Sequence, residues 1–116
     1  MREIAKLHIR ALPHTWSSKR GRRFVEHLYR FVQMVGYVET VVLNGEVVGV
    51  VSGVGQCILT LVVDPMWQRK GIGKELMTKL PGRRYVYTEE CTVGFYKKFG
   101  FVPLFKLGKV IFLWRK

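Results

Sequence analysis

The sequence predicts a mixed α/β layer fold, and three observations carry that expectation. Apolar residues recur at helical spacing in some segments and as β-branched runs in others. Turn-forming pairs, Asn44-Gly45, Asp64-Pro65 and Pro81-Gly82, punctuate those segments. Hydrophobic residues make up 48% of the chain and charged residues 24%, enough apolar surface to offset the entropy of ordering a core. With 116 residues and no linker or repeat, the whole chain 1–116 is expected to be one domain.

The elements follow in order. Residues 3–12 read as a strand running to a break at Pro13. Ser17 or Ser18 could cap a helix in which Phe24, Val25, Leu28, Phe31, Val32 and Val35 recur at helical spacing. Lys19, Arg20, Arg22, Arg23 and Arg30 fall largely elsewhere, giving it a basic outer face, and Gly36 ends it. Residues 37–43 and 46–54 are β-branched runs joined by Asn44-Gly45, whose tolerance of positive φ suits a tight hairpin. A third strand over 56–63 stops at Asp64-Pro65, because proline lacks the donor a ladder needs. Ile72, Leu76, Met77 and Leu80 share one side of a helix that opens near Gly71 and closes at Pro81-Gly82. A short strand over 84–88, a helix over 91–99 and strands over 101–104 and 109–114 complete the order β-α-β-β-β-α-β-α-β-β.

Twenty Lys+Arg against eight Asp+Glu give a formal charge of +12. Such a field draws anions, among them phosphates, nucleotides and nucleic acid or another polyanion. The apolar runs 47–54 and 57–63 fall well short of the ~18 residues of a membrane span, and the N-terminal residues carry charge every few positions. A soluble, cytoplasmic protein without membrane association is expected. Cys57 and Cys91 have neither C-x-x-C nor histidine spacing, so reduced thiols are expected and no metal site. His8, His14 and His27 lack a partner by sequence and read as surface or core residues.

Chemistry concentrates where the third strand turns into the following helix. Gly71 and Gly73 let the backbone curl close to a ligand. The first amides of a helix lack intrahelical partners and sit at the positive end of its dipole, so those from Arg69 through Lys70, Gly71, Ile72 and Gly73 to Lys74 could cradle a pyrophosphate. Two other phosphate motifs fail on spacing: a P-loop needs Ser or Thr where Glu75 follows Lys74, and a dinucleotide fingerprint needs Gly where Leu76 stands.

Gln68-Arg-Lys-Gly71-Ile-Gly73 resembles the Q/R-x-x-G-x-G/A signature of the GCN5-related N-acetyltransferases (GNAT), and Leu61-Val-Val-Asp-Pro65 before it resembles the family's strand exit. Gly94-Phe-Tyr96-Lys-Lys-Phe-Gly100-Phe101 looks like the second family motif. The pair, in this order and spacing, is specific where either alone is not.

The resemblance implies an α/β (α+β) fold with a mainly antiparallel central sheet, helices on both faces and one splayed pair of parallel strands, here 59–63 and 84–88. It implies acetyl-CoA bound in that gap. Backbone groups of Leu61, Val62 and Val63 would pair with the coenzyme's arm as a pseudo-strand, and Gln68 through Lys74 would hold its phosphates. It further implies direct attack by an acceptor amine of unknown identity. Tyr96 would donate to the departing thiolate and also contact the cofactor, and an amide near Val62 or Val63 would polarise the carbonyl.

This sequence departs from the family at the base. No carboxylate lies on strand 56–63, so Glu89 and Glu90, just past the next strand, are the candidates to take the amine's proton. Both would equally serve as acidic residues in the first turn of the following helix. Glu89 also stands where the family often has Asn. Only one helix is expected before the hairpin where the family has two, so the acceptor pocket would be open or completed by a second subunit. A homodimer through the apolar strand 110–114 is one candidate. Two other readings stay open: a basic nucleic-acid-associated module, and an acyl-CoA sensor of the same fold without turnover.

Overall fold

The computed structural model describes residues 1–13, 17–80, 82, 85–89 and 93–115. Its N-terminal segment overturns one expectation. Ile4, Ala5, Leu7 and His8 sit at the spacing of one helical face, and Arg2, Lys6 and Arg10 follow one another every fourth residue. The segment forms a helix, α1 (Arg2–Ala11), not a strand, with those four residues buried. A short 3-10 turn (Ser18–Arg20) leads into α2 (Arg22–Val35), whose N-cap is Gly21 rather than either serine. Two helices therefore precede the hairpin, not one.

Helix α2 carries two neighbouring apolar stripes. Val25, Tyr29 and Val32 are the buried one, while Phe31 and Val35, expected to face inward, are exposed. The stripes lie about one residue apart around the helix. The sheet takes the one containing Tyr29, whose hydroxyl finds polar partners beneath it.

The hairpin follows as expected. Strands β1 (Tyr37–Leu43) and β2 (Glu46–Val54) are joined by Asn44 at φ 53° and Gly45 at φ 77°, both positive as a type I′ turn requires. Then come β3 (Cys57–Val63), a 3-10 turn (Pro65–Trp67), α3 (Ile72–Thr78), β4 (Tyr85–Glu89), α4 (Val93–Lys97), β5 (Val102–Leu107) and β6 (Val110–Trp114). The six strands lie in the order β1-β2-β3-β4-β6-β5, and only β3 and β4 run parallel. Strand β6 is thus paired on both sides, so a dimer through 110–114 could use its face but not its edge.

Alternation along the strands divides the core. On one face α3 and α4 cover Val48, Val51, Ile58, Val86, Ile111 and Leu113. On the other, α1 and α2 cover Val50 and Val62. Beneath α1 and α2 runs a chain of polar side chains: Ser17 Oγ lies 3.0 Å from His8 Nε2, and His8 Nδ1 lies 2.8 Å from the Tyr29 hydroxyl. Tyr29 donates to Thr60 Oγ1 at 3.2 Å, and Thr60 bonds Ser52. Because the Tyr29 proton goes to Thr60, the consistent assignment has His8 donating from Nδ1 and accepting at Nε2. Every member is satisfied, so the chain specifies the packing of α1 on α2 at little cost.

Burial holds His8 neutral, with its pKa pushed down to about 4. The unfolded chain takes up this proton below about pH 6.5 while the folded chain does not, so stability falls as pH drops from there toward 4. In urea unfolding, the loss between neutral pH and pH ~4.5 is expected to be about 2 kcal/mol smaller in His8→Gln than in the native chain. An identical loss in both would show that His8 does not govern the acid limb.

Candidate active site

The two parallel strands pair only at their starts. Cys57 stands opposite Tyr85 and Ile58 opposite Val86, with Tyr85 N–H donating to Gln56 O at 3.0 Å. Among the described residues no register links them beyond Ile58, and β3 turns an edge without ladder bonds toward the gap. Which groups face it follows from the other edge. Asp64 N–H donates to Val48 O at 2.8 Å, so residues in phase with Asp64, Val62 among them, direct their backbone groups to β2. Leu61 and Val63 direct theirs into the gap. Of the three residues expected to offer backbone groups there, two do so. Val63 O accepts from Gln68 Nε2 at 3.3 Å.

A cavity of about 320 Å³ occupies the gap, lined by Leu61, Val62, Val63, Gln68, Arg69, Gly73 and Tyr96 among others, so Val62 borders it even though its backbone bonds toward β2. Gln68, Arg69 and Gly73 of the glycine turn and the phenol, far apart in sequence, thus share one cavity, while Lys70, Gly71, Ile72 and Lys74 are not among its lining residues. Ala11 and Leu12, at the end of α1, close another side. These two were missed because their segment was read as a strand; a count of its helical spacing would have found them.

Two residues with positive φ shape the turn, Arg69 at 64° and Gly71 at 84°. A Cβ on Gly71 would meet nothing within 4 Å, so this left-handed residue presents bare backbone to open space. Gly73 is small for another reason. Its Cβ would lie 3.0 Å from the Phe95 ring, so its size lets α3 pack against α4. The first bonded amide of α3 is that of Glu75, to Gly71 O at 2.9 Å; those of Ile72, Gly73 and Lys74 precede the intrahelical ladder. Ile72 buries its side chain in the core, while Lys74 is exposed and Lys70 lies 5.4 Å above the Trp67 ring.

Asp64 ties this turn to α1. Its buried carboxylate accepts from Met66 N–H at 3.0 Å, capping the 3-10 turn, and from Arg10 Nη2 at 2.5 Å. The contact joins the end of α1 to the exit of β3.

Tyr96 is 3% exposed, edge-on to Phe95 and Phe101 at centroid distances of 5.2 and 5.9 Å. Burial, reinforced by the neighbouring Tyr37 phenol, pushes its pKa well above the ordinary tyrosine value. It therefore holds its proton throughout the physiological range and keeps an O–H that can donate. Glu89 closes β4 opposite Val110; Glu90, like Cys91, His14 and Trp16, lies outside the described residues. His8 belongs to the buried chain and His27 is exposed, so neither enters the cavity lining. Cys57 is a free, half-buried thiol whose pKa burial raises. Among the described residues no group of His, Cys, Asp and Glu could hold a metal ion, and no helix is long and apolar enough to cross a membrane.

A central sheet with one splayed parallel pair, a glycine turn at the exit of the first of those strands and a buried phenol across the gap define an acyltransferase-type coenzyme fold. Residues 26–103 match the family model described as "Acetyltransferase (GNAT) domain", and the chain belongs to that family. Solved structures agree on the fold. The chain is similar to PH1933 from Pyrococcus horikoshii (17% identity, TM-score 0.82, 98% of this chain and 88% of that one). It is likewise similar to the PaiA N-acetyltransferase of Thermoplasma acidophilum, solved in complex with coenzyme A (14% identity, TM-score 0.71, 98% and 91%). A third neighbour is the apo form of YjaB from Escherichia coli (24% identity, TM-score 0.69, 98% and 92%). No curated protein matches the sequence at a significant level.

Proposed function

We propose that the protein is an acetyl-CoA-dependent N-acetyltransferase that moves an acetyl group to an acceptor amine by direct attack. The observation that carries the reading is the cavity joining the Gln68–Gly73 turn to Tyr96 along the open edge of β3. A diphosphate suits the turn: Gly71 leaves its approach clear of side chains, the amides of residues 72–74 are not used by the helix ladder, and Arg69, Lys70 and Lys74 supply positive charge. An amide-bearing arm suits the edge where the backbone groups of Leu61 and the N–H of Val63 face the gap, the Val63 carbonyl being held by Gln68.

When bound, acetyl-CoA supplies an activated thioester. The Val63 or Leu61 N–H polarises the carbonyl, and Tyr96 donates from Oη toward the sulfur. Because the Tyr96 pKa is raised while an ordinary thiol ionises near 8.5, complete transfer of the phenolic proton would be uphill. Tyr96 serves as a hydrogen-bond donor to developing negative charge. Helix α1 forms, with α2, the wall on the acceptor side, and Glu89, the last residue of β4, or its neighbour in sequence Glu90 takes the amine's proton. An acceptor that arrives as a neutral amine dispenses with the last step.

Two measurements test this. Acetyl-CoA at about 100 times its dissociation constant is expected to stabilise the protein by about 2.7 kcal/mol, visible as a rise in Tm. Thiol release over a panel of amines, peptides and RNA-linked amines then separates enzyme from sensor. Stabilisation without thiol release from any acceptor would favour a sensor; neither effect would end the coenzyme reading.

A further inference from the structure

Helix α1 is fastened to the molecule in two different ways along its length. Its early turns are seated by burial: Ile4, Ala5, Leu7 and His8 lie inside, and His8 is also bonded to Tyr29 and Ser17. The last turn is held otherwise. Ile9, Ala11 and Leu12 are only half-buried, and Arg10 between them reaches across to the carboxylate of Asp64, with Nη2 2.5 Å from Oδ2. Asp64 gathers bonds from separate elements. Its N–H donates to Val48 O, which seats the exit of β3 on β2, and Oδ1 accepts from Met66 N–H, which caps the 3-10 turn. The Asp64 side chain is 7% exposed and that of Arg10 53%, so the guanidinium brings charge from solvent to a carboxylate that water barely reaches. Such a charge-assisted bond is among the stronger side-chain contacts, because a buried carboxylate deprived of a partner keeps its desolvation cost.

Both partners stand next to the cavity lining without belonging to it. Arg10 directly precedes Ala11 and Leu12, and Asp64 directly follows Val63; through the turn that Asp64 caps, the chain then leads to Gln68 and Arg69. All five of these neighbours line the cavity, and neither Arg10 nor Asp64 does. One ion pair behind the lining therefore ties the wall contributed by α1 to the wall contributed by β3 and its exit turn. We propose that Arg10 and Asp64 are positioning residues for the coenzyme: their pair holds the end of α1 against the β3 exit and so sets the width of the slot that the acyl-CoA arm enters. The proposal rests on the coenzyme reading of this cavity. Without the pair the last turn of α1 leaves the strand while the buried turns before it stay seated, and the arm loses one of its walls.

The test is a double-mutant cycle read by calorimetric affinity for acetyl-CoA. Asp64→Asn keeps an oxygen for the Met66 N–H but removes the charge that Arg10 pairs with, and Arg10→Gln removes the other partner. Each is expected to weaken acetyl-CoA binding about 5-fold or more. The double variant should bind no more weakly than the weaker single one, and Arg10→Lys, which keeps the charge, should recover much of the loss. Thermal unfolding verifies that each variant is folded. Amide exchange supplies the second readout: Leu12 N–H, bonded to His8 O at 2.8 Å, should exchange faster in Arg10→Gln while the amides of β1 and β2 keep their native protection. Native affinity in both single variants would overturn the proposal and leave the coenzyme reading standing. So would losses that simply add in the double variant, Arg10→Lys no better than Arg10→Gln, or unchanged exchange at Leu12. A native protein that binds no acetyl-CoA would end the coenzyme reading and this proposal with it.

Discussion

Gly71→Val is expected to lower the affinity for acetyl-CoA by roughly 100-fold or more while leaving a folded protein. The native residue sits at φ 84° with no atom within 4 Å of the Cβ position, so the new side chain clashes with nothing in the protein. It does force a β-branched residue into left-handed conformation, at about 1–3 kcal/mol, which would lower Tm by several degrees. Its methyl groups would stand where a phosphate must approach the amides of residues 72–74. Losing even one or two charge-assisted hydrogen bonds, each about 1.5–3 kcal/mol, accounts for the affinity. Gly73→Val supplies the contrast. There the added Cβ would press on Phe95 at 3.0 Å, so the damage falls on the packing of α3 against α4 and stability drops first. Unchanged calorimetric affinity in folded Gly71→Val would rule out the diphosphate at this turn.

Tyr96→Phe is expected to reduce kcat about 10- to 150-fold with a change in acetyl-CoA affinity of less than about threefold. The ring makes the packing contacts with Phe95 and Phe101, and phenylalanine keeps them. What is lost is one donor to charge that develops only as the sulfur departs, about 1.5–3 kcal/mol. Since the phenol's pKa is raised well above the ordinary value, the native enzyme should show no fall in kcat up to about pH 10 that Tyr96→Phe removes. Equal turnover in the two proteins would take Tyr96 out of the reaction and leave it as a core aromatic.

Local pattern made much of this legible. The hairpin bounds follow from β-branched runs and Asn44-Gly45, and the turn between β3 and α3 from glycine spacing after an apolar strand, because both are decided by short-range backbone preference. Segment 3–12 is a helix where the sequence predicts a strand, since a short apolar run followed by proline suits either and only packing against the sheet decides between them. On α2, two apolar stripes satisfied the same periodicity; the polar partners offered by Thr60 and His8 chose between them. The phase of β3 was beyond reach for a similar reason. Whether Leu61 and Val63 or Val62 face the gap depends on which residues bond β2, and that is set by the pairing of a strand distant in sequence.

The chain by itself determined which segments are helices and strands over most of its length, where the glycine turn lies, and that a phenol follows it on a later helix. These depend on periodicity, turn chemistry and charge, all of which act over a few residues. Tertiary structure alone decided that part of the turn and Tyr96 share one cavity, that Arg10 of α1 pairs with Asp64 at the exit of β3, that β6 is interior, and that no helix among the described residues covers the face of β4, β6 and β5 carrying Tyr87 and Phe105. Those outcomes arise from strand order and layer coverage, where residues tens of positions apart compete for the same buried surface, and no local spacing records which of them prevails.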